Sequence, residues 1–382
     1  MLLTRVIGTM VVRSAIFLRA LKTYRDPVKT FRAIGKLIKK RVAFGGTGGM
    51  PQFFFSCGRF FFDPNIPGWP STAFNKFILN ELNNSAPFTA GHSRLSTVIF
   101  SITKRCPLKC KHCFEWERLD GKESLSRHDL KNALGSLQEY GVSHIQLGGG
   151  EPMSRFDDLL RLLDSSQPGT DFWLLTSGYD ITYEKALLLK KAGLTGVRIS
   201  LDNYDPEQHN AFRGSEKAFE WAVSAVENCR KARLVTGLSL CITRELLTIG
   251  NLYSYLAFAR KLKVSFIFLL EPRETGHFKD SKATLTTGEI KLVEDFFIKT
   301  ITKKSFDFNP RVYYPGYYQR RIGCFGAGIR YLYLDSEGSA HSCPFCQGKK
   351  GSILADSMTD IIQNLKQSGC QMYQTDELSF AR

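Results

Sequence analysis

Six short apolar, β-branched runs, at residues 97–103, 144–147, 172–176, 196–201, 238–243 and 265–270, alternate with stretches of helical periodicity. Those stretches include 126–140, 183–192, 215–232 and 252–262. A strand repeatedly followed by a helix returns parallel to its neighbour, so the pattern predicts a parallel sheet with helices outside. Six units are too few for a closed eight-fold barrel. The expected fold is α/β: a partial (β/α)6 barrel of the TIM type, whose functional groups should gather where the strands end.

Two regions flank this repeat, giving expected domains at 1–95, 96–304 and 305–382. Residues 1–41 hold eleven Lys or Arg and one acid, Asp26, which accounts for ten of the chain's net +16 charges. Apolar residues recur there at helical spacing: Leu3, Val6 or Ile7, Met10, Phe17, Leu21, Val28, Phe31 and Ile38. Such a helix can dock its apolar side on the rest of the protein, or lie at an anionic membrane face through residues 1–41. Arg5 and Arg13 leave too short an uncharged run for a secretory signal. No nucleic-acid signature accompanies the charge, and none is expected to bind. No run approaches the roughly 18 uncharged apolar residues of a membrane-spanning helix. Residues 51–62 place two Phe runs around Cys57-Gly58 and predict a hairpin, and 63–70, with three Pro, read as a linker. Beyond about 305 the chain becomes Gly- and Cys-containing, the mark of a small C-terminal module.

Ten cysteines in 382 residues are too dilute for a disulfide framework. Their clustering carries the chemistry. Cys106, Cys110 and Cys113 occupy one loop after the first strand. Soft thiolates so close together select iron–sulfur or zinc. A structural zinc usually takes four ligands on two paired arms, whereas a triplet leaves a cubane cluster with one open corner. After the second strand stands Gly148-Gly149-Gly150-Glu151-Pro152. Consecutive glycines let backbone approach a ligand, and exposed carbonyls with a carboxylate suit a cationic amino group.

The C-x3-C-x2-C loop followed by Gly-Gly-Glu-Pro resembles the radical S-adenosylmethionine (SAM) superfamily. The resemblance implies a [4Fe–4S] cluster on Cys106, Cys110 and Cys113, with SAM chelated at the fourth iron. The position before the third Cys, usually aromatic and beside the adenine, is His112. Softer matches are Thr176-Ser177 after the third strand, Ser200 and Asp202 after the fourth, Arg213, Thr243 after the fifth, and 271–276 after the sixth. The resemblance places Gly148, Gly149, Gly150, Glu151 and Pro152 with these residues around SAM, and Arg213 at its carboxylate. Cys324, Gly338, Cys343 and Cys346 resemble a SPASM or twitch auxiliary-cluster module, with a strand at 331–334. A single auxiliary [4Fe–4S] cluster on Cys324, Cys343, Cys346 and Cys370 is the favoured reading. Zinc on the same four, or no metal, are the alternatives. Cys57, Cys229 and Cys241 read as isolated packing residues.

The implied reaction is reductive cleavage of SAM, then hydrogen abstraction from an unreactive C–H, fed by a donor such as ferredoxin or flavodoxin. Modification of a ribosomal peptide or protein leads. A small, lipid-like or tetrapyrrole substrate at a membrane surface is second, and a non-catalytic iron–sulfur or zinc scaffold third. Oxygen-sensitive clusters and reduced thiols place the chain in the cytoplasm, with a peripheral contact at the inner membrane face open.

Overall fold

The computed structural model describes residues 2–45, 53–89, 95–303, 310–324, 326–370 and 372–373. The side chains of residues 2–7 and 40–45, including Leu3, Arg5, Val6, Ile7, Lys40 and Arg41, lie outside that set. Helices α1 (Leu2–Tyr24) and α2 (Pro27–Gly45) lead into a hairpin of β1 (Phe54–Ser56) and β2 (Arg59–Phe61), then α3 (Thr72–Ser85). Next come β3 (Thr97–Ser101), α4 (Arg127–Glu139), β4 (His144–Gly148), α5 (Phe156–Asp164), β5 (Asp171–Thr176), α6 (Tyr183–Lys191) and β6 (Leu194–Ser200). The chain continues through α7 (Pro206–Arg213), α8 (Ala218–Lys231), β7 (Val235–Cys241), α9 (Ile249–Lys261), β8 (Phe266–Leu270) and α10 (Thr287–Thr302). It closes with β9 (Arg311–Tyr313), α11 (Pro315–Ile322), β10 (Tyr331–Leu334), β11 (Ala340–His341) and α12 (Met358–Ser368).

The helices begin where side chains satisfy their first amides. Ser126 and Asp129 form a capping box on α4, Thr286 and Glu289 another on α10. The unexpected short helix α7 starts on Asp205 with Pro206 behind it and stops at Gly214, whose φ of +69° is left-handed. Strands β3 to β8 are the six expected ones, and they pair in parallel, each with the next. The sheet is larger than six. Strand β9 adds in parallel beside β8, β10 adds in parallel beside β3, and β11 turns back antiparallel on β10. The nine-stranded sheet remains open, with β11 and β9 at its edges. The segment after residue 305 therefore continues both edges of the barrel sheet.

Alternation along the strands sorts the core into two layers. Ile145, Leu147, Leu174, Val197, Ile199, Leu238 and Ile267 pack outward under the helices. Trp173, Val235, Phe266, Phe268 and Tyr313 point to the concave side, where Phe54 and Phe61 join them. Phe54 stacks on Phe61 with ring centroids 5.1 Å apart, and Phe61 meets Trp173 edge-on at 6.0 Å. The Phe-rich hairpin thus fills the base of the curved sheet. Residues 63–70, expected as a linker, are packed. Asn65 accepts from Gln146 and Arg198 inside the sheet, and the Gly68 amide donates to Asp171. Cys57 is not a packing residue: it sits exposed in the hairpin turn at φ +50°. Cys229 and Cys241 are buried.

Candidate active site

The loop after β3 is held on three sides. From β4, the Gly150 and Glu151 amides donate to the Thr103 and Arg105 carbonyls at 2.9 and 2.7 Å. From α7, the carbonyls of Arg213 and Phe212 accept the Lys109 and Lys111 amides. From the segment after β8, the His277 amide donates to the Cys113 carbonyl at 2.9 Å. Two glycines make the close approach possible. A Cβ on Gly150 would lie 2.3 Å from the Arg105 oxygen, and one on Gly149, at φ +139°, 2.6 Å from the Thr103 oxygen.

These contacts gather Cys106, Cys110 and Cys113 into one apolar cluster with Leu108 and Ala218, lidded by Trp221. Burial pushes the Cys106 and Cys113 thiols up to about 12 and raises Cys110 as well. Arg213 opposes that rise at Cys110, donating to its sulfur at 3.6 Å. The Arg213 guanidinium also donates to Asp202 at 2.6 Å, and Asp202 accepts the Cys241 amide at 2.9 Å. Both side chains are buried, so Asp202 and Arg213 spend their charges on each other and on the cysteine loop.

Glu151 is likewise turned inward. One carboxylate oxygen accepts from Thr176 at 2.7 Å and from the Met153 amide, the other from the Ser177 amide and hydroxyl. Burial raises its pKa against those four donors. The glycine backbone, and not this carboxylate, faces the cysteine loop. Ser200 contacts Ser239 on the same rim, and Thr243 follows β7 there beside Glu245. His112 stacks on Phe212 with centroids 4.8 Å apart. Its Nδ1 is buried without a partner, and burial holds the ring neutral, at about 4.

A second group of thiols lies beyond β10. Cys343 and Cys346 sulfurs are 3.3 Å apart, and the Cys324 thiol hydrogen-bonds Cys370. Within each pair one thiol is raised and the other lowered, Cys370 to about 5. Phe114, next to Cys113, meets Phe345 edge-on at 6.1 Å between Cys343 and Cys346. Beside it Tyr333 donates to Glu115 at 2.5 Å, and Arg118 reaches Asp335. The two thiol groups are therefore neighbours. No disulfide links any of the ten cysteines, and among the described residues no three His, Cys, Asp or Glu converge on a point suited to one metal ion.

Residues 100–246 match the model of the Radical SAM superfamily. The cysteine triplet and the strands around it form a radical SAM domain. Mycofactocin maturase MftC of Mycolicibacterium smegmatis is 28% identical over 268 residues, 67% of each chain. Fe-coproporphyrin III synthase of Methanosarcina barkeri is 32% identical over 149 residues, 39% of this chain and 37% of that one. Streptococcus suis SuiB, solved with its precursor peptide SuiA, superposes with a TM-score of 0.58 at 15% identity, covering 75% of this chain and 69% of SuiB. That likeness is one of fold, an open barrel of the radical SAM type.

The family implies a [4Fe–4S] cluster and SAM, and the donor set fits. Three thiols without a disulfide share one loop, and a glycine ridge presses on it where any side chain would collide. The radical SAM rim also contains groups that local sequence does not reveal. His277 stacks on Trp116 at 3.7 Å with the two rings nearly parallel, while its Nδ1 meets the Cys110 carbonyl at 2.9 Å. Gly276 at φ +57° lets that segment close on Cys113. His209 accepts the Asp202 amide through Nδ1. Glu271 accepts from Tyr314, Arg273 and Arg320, and Arg273 goes on to the Tyr373 hydroxyl at 2.7 Å, tying the Cys370 segment to the barrel. Glu271, Arg273 and Gly276 lie in the 271–276 segment that the sequence marks, whereas no local pattern marks Trp116, His209 or His277.

Proposed function

We propose that this radical SAM enzyme modifies a side chain of a ribosomally made peptide or protein and uses two [4Fe–4S] clusters. Cys106, Cys110 and Cys113 would hold the first. Gly148, Gly149, Gly150, Glu151, Pro152, Thr176, Ser177, Ser200 and Thr243 would line the SAM side of the rim. Cys324, Cys343, Cys346 and Cys370 would hold the second. The chemistry supplied by cluster and SAM together is reductive scission of the S–C5′ bond and hydrogen abstraction by the 5′-deoxyadenosyl radical.

The chain's own residues bind, orient and exclude water. Asp202 and Arg213 keep Cys110 in position, Glu151 fixes the turn after β5, and Trp116 with His277 closes one side of the cysteine loop. The observation that carries the reading is the pairing of four C-terminal thiols two by two, one aromatic contact from Cys113. Four thiols with no disulfide among them are the complete ligand set of one further cubane cluster. Support for a peptide comes from the two-thirds coverage of a mycofactocin maturase and from the shared fold with SuiB.

Anaerobic reconstitution should load about eight irons and eight sulfides per chain. C343A/C346A should lose about half, while C106A/C110A/C113A should make no 5′-deoxyadenosine from SAM and dithionite. Only about four irons in the wild type would remove the second cluster. Substrate class is read by mass spectrometry after co-expression with candidate precursor peptides, and turnover confined to porphyrins would overturn the peptide reading.

A further inference from the structure

The N-terminal helices bury mainly small residues, with Ile16, Tyr24, Ile34 and Leu37 packed beside them, and leave a set of large apolar side chains exposed. Val12, Ala20, Thr30 and Ala33 are buried, with α3 supplying Phe74, Phe77, Ile78 and Leu82 to the same core. Gly8 lies so close to Phe60 that a Cβ would stand 2.4 Å from its ring. Met10, Leu18, Val28, Phe31 and Ile38, by contrast, are 57–67% exposed. With Val11 they make up half of the large apolar side chains that the described residues leave exposed. Four residues of the predicted docking stripe, Met10, Val28, Phe31 and Ile38, thus face away from the protein.

These residues form one surface. Met10, Ser14 and Leu18 follow at four-residue spacing along α1. Val28, Phe31 and Ile38 share one side of α2, and Phe31 joins the helices through Phe17 at 5.3 Å. Lys29, Arg32, Lys36 and Lys39, all exposed, follow at spacings of three, four and three on the adjoining side of α2. Arg13, Lys22 and Arg25 are also exposed. The segment's one acid, Asp26, is engaged in capping α2 through the Val28 and Lys29 amides at 2.8 and 3.1 Å. No described helix is long and apolar enough to cross a membrane.

A seam of large apolar side chains beside a row of cations fits an interface that is greasy below and anionic above. We infer that α1 and α2 form a monotopic docking face for an anionic lipid bilayer. Phe31, Ile38, Leu18 and Met10 enter the headgroup–acyl boundary, and the lysine row meets the phosphates. An acidic peptide would use the cations and leave the apolar seam in water, which is why the bilayer is the better occupant.

The test is co-sedimentation of the reconstituted full chain with vesicles of phosphatidylcholine alone or mixed equally with phosphatidylglycerol. The wild type should prefer the mixed vesicles by at least about tenfold, and the preference should shrink as salt rises. K29E/R32E/K36E should lose that preference, by about fivefold for each cation even before counting the repulsion of the new acids. L18E/F31E should lose binding although it retains every cation. Both variants alter exposed positions, so each should keep the wild-type melting temperature and 5′-deoxyadenosine production. Equal binding to the two vesicle types, unchanged binding by L18E/F31E, or displacement from vesicles by polyglutamate at matched charge would each overturn the assignment.

Discussion

Asp202 accepts from the Arg213 guanidinium and from the Cys241 amide, and neither charged group reaches water. Removing one partner strands the other charge in a dry site, a change that costs about 3–5 kcal/mol. D202N should therefore lower the denaturation midpoint steeply, whereas D202L/R213M should lose less, because an apolar pair leaves no orphan charge. Guanidinium titrations of the four-member mutant cycle check both statements. The same residues illustrate what sequence can and cannot reveal. The cysteine triplet and Gly148–Pro152 are contiguous, so spacing alone brings their chemistry together. The resemblance implies SAM contacts for Asp202, after a strand, and for Arg213, in Phe-Arg-Gly; the contacts they make here, with each other, with β7 and with the cysteine loop, are ones only the fold brings within reach. Trp116 and His277 are more remote still, and nothing in either neighbourhood announces the stack.

Strands and helices were legible wherever one periodicity ran uninterrupted. Strands β3 to β8 and helices α4, α6, α8 and α9 lie within a few residues of their expected bounds, since alternation and caps act locally. Helix α7 escaped notice because eight residues around Pro206 are too few to show a period. Strand β9, three residues long, is shorter still, and it exists because β8 offers it an edge. The Phe-rich hairpin was readable as a hairpin but not as the filling of the barrel base, a role set by contacts with β5, β7 and β8. Phe61 is fully buried between Phe54 and Trp173. F61A should cost about 3–5 kcal/mol, read as a fall in thermal midpoint, with iron content after reconstitution unchanged because the cavity opens at the other end of the strands.

At the scale of the whole molecule, acid should weaken the fold before carboxylates titrate. Burial, with Arg198 nearby, pulls His144 down to about 3 from 6.5, and His209 falls to about 4. Both imidazoles are neutral in the folded protein and bind protons more readily once it unfolds. The stability they contribute is present above about pH 6.5 and is lost as pH falls from there toward 3 or 4. A plot of denaturation midpoint against pH should slope downward on the acid side of 6.5, and H144Q should flatten it. The sheet carries a different consequence. Strand β10 lies beside β3, and Ser96 donates to the Arg330 carbonyl across 234 positions of sequence. During synthesis at 5–20 residues per second, the flank of β3 waits roughly ten to fifty seconds for its neighbour. A naked, apolar parallel edge is sticky throughout that interval. A ribosome-stalled or nonsense-truncated product ending near residue 304 should accordingly accumulate with chaperones or in inclusion bodies, although every residue of the iron-binding triplet has already been made.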